Sequence, residues 1–249
     1  MAYVSGPVRA LVVGGSTGIG RGIADAWAKA GADVVVASRS EPDDAALGWA
    51  RLDFTEPDQA RQALAEVAGA GPLHAVCFSA VHYGTKRALF RDVTEQEWRR
   101  QVDVNLHGLW LTLAATLPAL REAGPGLLLG VSSEVVYNAG PGRSGYAATK
   151  AAGTGLLHSL AQEEDAARLR IVQVLPAGMV DTPGIRRRRP EDFDYSDYMR
   201  PAGFGAVATE LLRTRGGEHH GDSLVVDADG GWRSVREQPP ESQSRGLGS

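Results

Sequence analysis

The sequence predicts a single α/β domain built on a doubly wound parallel sheet of about seven strands, with helices on both faces. Three observations predict it. Short apolar, β-branched runs alternate along the chain with segments of helical periodicity, and parallel neighbours need such crossover connections. The first run, Val8 to Val13, stops at a glycine cluster that feeds directly into a helical pattern. At 249 residues the chain is long for an average domain, yet α/β folds of this size commonly close around one shared core.

Each element has its own signal. After the glycines, Ile19, Ile23, Ala24, Trp27 and Ala28 recur at helical spacing, and Gly31 closes the helix. Val34 to Ser38 reads as a buried second strand and Trp49 to Asp53 as a short third. Thr55 with Asp58, and Pro57 in the first turn, announce a helix through Glu66. His74 to Ser79 makes the fourth strand. Thr94 and Glu97 have capping-box spacing, and an apolar pattern then runs through Leu106, Leu109, Leu113 and Leu117 to Arg121. Gly126 to Val131, Tyr146 to Ala166 and Arg170 to Leu175 supply a strand, a helix and a strand, and Asp222 to Asp227 is the last strand. The domain is expected to span residues 1–236. Within it, 183–200 breaks the rhythm with arginines, prolines and tyrosines and reads as a mobile lid. Residues 237–249 read as a polar, disordered tail.

Charge and composition exclude several classes of partner. A net charge of −4 gives no general attraction to nucleic acid or anionic lipid. The expected ligand is a small molecule. The one cysteine, Cys77, lies in an apolar run, so a core thiol and a reducing cytoplasm are expected. No apolar segment approaches the ~18 residues of a membrane span, and the first residues lack the pattern of an export signal. None of the six histidines pairs with cysteine or carboxylate at a ligand spacing, so no metal site is expected.

The glycine cluster carries the first chemistry. In Gly14-Gly15-Ser16-Thr17-Gly18-Ile19-Gly20, missing β-carbons let the backbone turn sharply and approach a pyrophosphate. The helix that follows offers unpaired N–H groups and a partial positive charge. The second strand ends Ser38-Arg39, with no acid to accept from ribose hydroxyls. A guanidinium fork beside a hydroxyl suits a 2′-phosphate, so NADP(H) is the expected cofactor.

Tyr146 and Lys150 lie four apart at the start of a helix and project from one face. A nearby ammonium is expected to lower the phenol's pKa and make Tyr146 a general acid near neutrality. Ser133, at the end of the fifth strand, could polarise a carbonyl beside that phenol, and Asn105 could hold a water against the lysine.

Taken together, Gly14 to Gly20, Asp53, Asn105, Ser133, Tyr146, Lys150 and the Gly178-Met179-Val180-Asp181-Thr182 segment resemble the short-chain dehydrogenase/reductase pattern in order and spacing. The resemblance runs from about Val8 to Trp232 and implies a Rossmann-type fold. It implies that the tyrosine donates a proton, the serine positions the carbonyl, the lysine binds the nicotinamide ribose, and the asparagine supports a proton relay. It also implies that Asp53, with Phe54 beside it, contacts the adenine, that Val180 and Thr182 hold the carboxamide, and that Ser79, Ala80 and Gly178 border the cofactor. A homodimer or homotetramer using the two long helices is implied as well. The family's threonine before the glycine loop is Val13 here, and its Asn-Asn-Ala-Gly segment is Phe78-Ser79-Ala80-Val81. Replacing both hydrogen-bonding partners together leaves no buried donor unpaired. The Pro-Gly pair after the sixth strand is Ala177-Gly178, with Pro176 one place early.

The loops after the fourth and fifth strands and the lid are expected to wall the substrate site. His82, Tyr83, Glu134, Tyr137, Met179, Tyr195 and Tyr198 are the candidates, a mixture that suits a ring-bearing or oxygenated substrate. Arg186 to Arg189 are read as neutralised by the acidic run Glu191 to Asp194, in preference to a contact with nucleic acid or an anionic substrate. Three functions remain open: NADPH-dependent reduction of a ketone, NADP-dependent oxidation of an alcohol or sugar, and a non-catalytic NADP-binding regulator.

Overall fold

The computed structural model describes residues 8–236, so the expected tail at 237–249 lies outside the described residues. The first half contains β1 (Arg9–Val13), α1 (Gly18–Lys29), β2 (Asp33–Ser38), β3 (Gly48–Arg51), α2 (Pro57–Gly69) and β4 (Ala75–Phe78). The second contains α3 (Glu95–Val102), α4 (Gly108–Glu122), β5 (Gly126–Val131), α5 (Val135–Asn138), α6 (Ser144–Glu163) and β6 (Leu169–Pro176). It ends with α7 (Pro183–Arg186), α8 (Gly205–Thr214), β7 (Asp222–Val226) and β8 (Trp232–Ser234).

All the strands join one sheet in the order β3-β2-β1-β4-β5-β6-β7-β8. Every neighbouring pair is parallel except β7 and β8. The parallel strands bury both faces, which is why they read as continuous apolar runs. Along β1, Ala10 and Val12 enter one core layer while Leu11 and Val13 enter the other, the two-residue period of a strand. The first layer packs Ile23 and Trp27 of α1 against Val207 and Leu211 of α8. Full burial of Trp27 is compatible with its polar edge because Nε1 donates to the Ala208 carbonyl at 2.9 Å. The second layer packs Leu64 of α2, Leu109 and Leu120 of α4 and Leu157 of α6 on the other face.

Four local features differ from the sequence expectation. The eighth strand, β8, is three residues long and antiparallel, too short to show a period, and α8 lies in the stretch between lid and last strand where no helix was anticipated. The Thr55–Asp58 capping box does not form: Thr55 Oγ1 donates to Asp53 Oδ1 at 2.8 Å, and Glu56 is the residue that precedes α2. Thr94 does cap α3, accepting from the Glu97 amide at 3.2 Å. The long helical region after it is interrupted by one π-helical turn, Asp103–His107, which carries the buried Asn105.

The strand order reverses between β1 and β4, and a crevice opens outside the carboxyl ends of strands at such a reversal. Gly14 follows β1 and Ser79 follows β4, so both stand at that crevice. Among the described residues, no helix is long and apolar enough to cross a membrane.

Candidate active site

A cavity of about 670 Å³ occupies the crevice. One end is formed by the glycine loop, with Gly14, Ser16, Thr17, Gly18 and Ile19 on its wall. Gly14 (φ +81°) and Gly18 (φ +63°) adopt the left-handed backbone that favours glycine. A β-carbon on Gly14 would stand 2.5 Å from the Ala80 backbone, and one on Gly20 would stand 2.4 Å from the Gly14 carbonyl oxygen. Gly20 therefore works behind the loop, letting α1 close on it, and does not reach the wall. Thr17 precedes α1 in extended conformation and its side chain makes no cap, while no acidic residue sits in the first turn. The amides of that turn keep their donor capacity beside the cavity wall that Gly18 and Ile19 help form, the feature a pyrophosphate would use.

At the adenine end the wall is Ser38, Arg39, Asp53 and Phe54. Arg39 is exposed and makes no ion pair among the described residues. The Ser38 hydroxyl, expected as a free donor, instead donates to the Ser40 carbonyl at 2.8 Å. Asp53 Oδ1 accepts from the Thr55 amide and hydroxyl, fixing the carboxylate at the rim. Ser79, Ala80, Gly178, Val180 and Thr182 line the cavity as well, and the Thr182 side chain stands beside Gly18 of the loop.

Ser133, just after β5, and Tyr146 and Lys150, one turn apart on α6, line this same cavity. All three are buried. Loss of solvent pushes the Tyr146 phenol well above the usual phenol range, with the nearby Tyr83 adding to the rise, while the Ser133 hydroxyl pulls the other way. The expected lowering by Lys150 is not among the influences on the phenol, and burial dominates. The lysine is engaged elsewhere: Nζ donates to the Val131 carbonyl at 2.7 Å, and burial lowers its pKa to about 8. Ser133 Oγ donates to Glu134 Oε2 at 2.7 Å and accepts from the Val135 amide at 3.3 Å. Arg143 Nη1 donates to the other Glu134 oxygen at 3.1 Å.

Asn105 makes no direct hydrogen bond to the lysine. Its Oδ1 accepts from the His82 amide at 2.7 Å, and Nδ2 donates to the His82 carbonyl at 3.0 Å and to Thr149 Oγ1 at 3.0 Å. It clamps the β4 loop from behind the wall. The π-helical turn makes the clamp possible by opening the helical ladder at that residue.

Of the substrate-wall candidates, His82, Tyr83, Glu134 and Met179 line the cavity. Three do not. Tyr137 stands in a separate depression with His158, Asp222 and Ser223, because the short α5 turns it away from the cleft. Tyr195 and Tyr198 pack edge-on with Phe193 and with each other, an aromatic cluster internal to the lid. The lid arginines are not neutralised by the acidic run that follows them. Arg186 instead pairs with Asp181 at 2.6 Å and lies over the Tyr195 ring, while Arg187 and Arg188 face the cavity. Arg100 and Arg143 are further cationic wall residues that sequence spacing does not single out. The ends of the lid are fastened by Asp181, which also pairs with Arg200 at 2.6 Å, and by the Met199 amide on the Met179 carbonyl at 2.9 Å.

A family model described as short chain dehydrogenase matches residues 9–192. The 4-formylbenzenesulfonate dehydrogenase of Comamonas testosteroni is 31% identical, over 89% of this chain and 96% of that protein. The 2-dehydro-3-deoxy-D-gluconate 5-dehydrogenase of Bacillus subtilis is 27% identical, over 90% of this chain and 94% of its own length. Among solved structures, a 3-ketoacyl-(acyl-carrier-protein) reductase from Brucella melitensis complexed with NADH superposes with a TM-score of 0.77 at 23% identity, covering 89% of this chain and 97% of that one. At that identity the likeness is one of fold.

Proposed function

Because this chain belongs to the short-chain dehydrogenase family, whose members are oxidoreductases of carbonyl and alcohol substrates, we propose that it reduces a ketone to an alcohol with NADPH. The observation that carries the reading is the presence of Ser133, Tyr146 and Lys150 in one cavity with an uncapped glycine-loop helix. When bound, the cofactor supplies a hydride.

The remaining work falls to the chain itself. Ser133 turns its hydroxyl to the carbonyl oxygen, and Tyr146 gives that oxygen a proton. A phenol whose pKa is raised by burial holds its proton until a stronger base forms beside it, and an alkoxide is such a base. Lys150 places a positive charge under the ribose position while anchored to Val131. Asn105 and Thr149 hold the His82 loop that walls the site. Arg39, exposed at the cavity edge with no carboxylate closing β2, supports NADPH over NADH.

A homodimer or homotetramer through α4 and α6 belongs to the same proposal. It is supported by Trp110 and Ala114 on α4 and by Ala148, Ala151 and Ala152 on α6, which turn small or apolar side chains outward. The test is NADPH oxidation with a panel of ketones by the wild type and by Tyr146→Phe. We expect the variant to lose about a thousandfold in kcat while NADPH affinity holds. Equal turnover by the variant would remove Tyr146 from the chemistry.

A further inference from the structure

The cavity is cationic in a chain that is acidic overall. Arg100, Arg143, Arg187 and Arg188 line it, with Glu134 and Asp53 as its carboxylates, and Arg143 and Arg188 stand beside the catalytic groups, on Glu134 and on Tyr83. Arg143 is already engaged by Glu134 and by Asn138 Oδ1 at 3.2 Å. Arg188 meets no carboxylate among the described residues. Its guanidinium lies over the Tyr83 ring, 5.7 Å from the centroid, and that ring lies 5.0 Å from the ring of Tyr146. The Arg188 Nε is buried and without a hydrogen-bond partner. Withdrawing part of a guanidinium from water without pairing it is unfavourable, and burial accordingly lowers its pKa. An oxyanion would satisfy the free donors in the fork geometry that carboxylates match.

We propose that the substrate is an oxo acid, whose carbonyl is held by Ser133 and Tyr146 while its carboxylate is held by Arg188 across the face of Tyr83. A spacer of a few carbon atoms joins the two groups, since a single aromatic ring separates the guanidinium from the catalytic phenol. Glu134 does not compete for Arg188, being held by Arg143 and Ser133. The assignment rests on the carbonyl-reductase reading and adds the chemical class of its substrate.

The experiment measures kcat/KM with NADPH for aliphatic and aromatic 2-, 3- and 4-oxo acids, each against its methyl ester, in wild type, Arg188→Gln and Arg188→Lys. A sulfonate and a phosphonate analogue show which oxyanion fits best. The wild type is expected to favour the best acid over its ester by at least about tenfold, as loss of a charged hydrogen bond implies. Arg188→Gln should abolish that preference through KM, costing the acid at least about tenfold more in kcat/KM than its ester, and Arg188→Lys should restore part of it. Esters reduced as well as acids throughout, or a loss in Arg188→Gln shared equally by acid and ester, would overturn the assignment. If no carbonyl compound is reduced, the reductase reading fails by itself. Calorimetric titration of the corresponding hydroxy acids then still decides the anion site: binding by the wild type but not by Arg188→Gln upholds it, and equal binding or none removes it.

Discussion

The Ser133 hydroxyl donates to the carboxylate of its own neighbour, Glu134, at 2.7 Å. The hydrogen bond that Ser133 would offer a substrate carbonyl is therefore already engaged by a carboxylate. Hydrogen bonds to charged groups contribute about 1 kcal/mol more than neutral ones. Glu134→Gln should accordingly release Ser133 and raise kcat/KM for a neutral ketone about fivefold. A fall on steady-state measurement would show that Glu134 assists the reaction, through Arg143 or otherwise.

Arg39→Asp reverses the charge where β2 meets the cavity. Loss of a charge-assisted phosphate contact, with repulsion in its place, should weaken NADPH binding by at least about tenfold. NADH, which lacks the 2′-phosphate, should gain. Fluorescence titration with both reduced cofactors checks this, and unchanged NADPH affinity would move the phosphate away from Arg39.

Asn105→Ala would strip both the donor and the acceptor that hold the His82 main chain. Leaving partly buried amide groups unpaired costs about 2 kcal/mol, which lowers the thermal midpoint of a chain this size by about 5 °C. Calorimetry reads the shift. Ketone turnover should also fall, because the β4 loop walls the substrate.

Lys150 makes stability depend on pH in a defined direction. Its pKa is about 8 in the fold against 10.5 ordinarily, so between those values the unfolded chain binds more protons. Stability must then rise with pH across that window. Compared with Lys150→Met, which keeps the opposing contribution of the buried Cys77 thiol, the wild type should gain on urea titration from pH 8 to 9. A flat difference between the two proteins would place the Lys150 ammonium in contact with solvent.

The parts of the site that could be read without coordinates are those whose logic is local. The glycine loop from Gly14 to Gly20 is legible because its strand, turn and helix are adjacent in the chain, and its positive φ values occur at glycines. Tyr146 and Lys150 are legible because helical spacing puts them on one face, where both reach the cavity. The placement of Tyr137, Tyr195 and Tyr198 was not readable in this way, since it depends on the turn of α5 and on how the lid folds back over Phe193. Thr55 illustrates the same limit at short range: Asp53, two residues away, takes the hydroxyl that a helix cap would have used.

Sequence by itself determined the alternation of strands and helices, the tight glycine turn after β1, and the residue types able to bind a dinucleotide and protonate a carbonyl. These follow from periodicity and from the conformational limits of glycine and proline. Tertiary structure alone decided the charge balance inside the crevice. Lid arginines and acids are adjacent in the chain, yet Arg186 finds Asp181 while Arg188 turns to Tyr83. Pairing of this kind depends on which side chains share a low-dielectric space, and linear distance does not encode that.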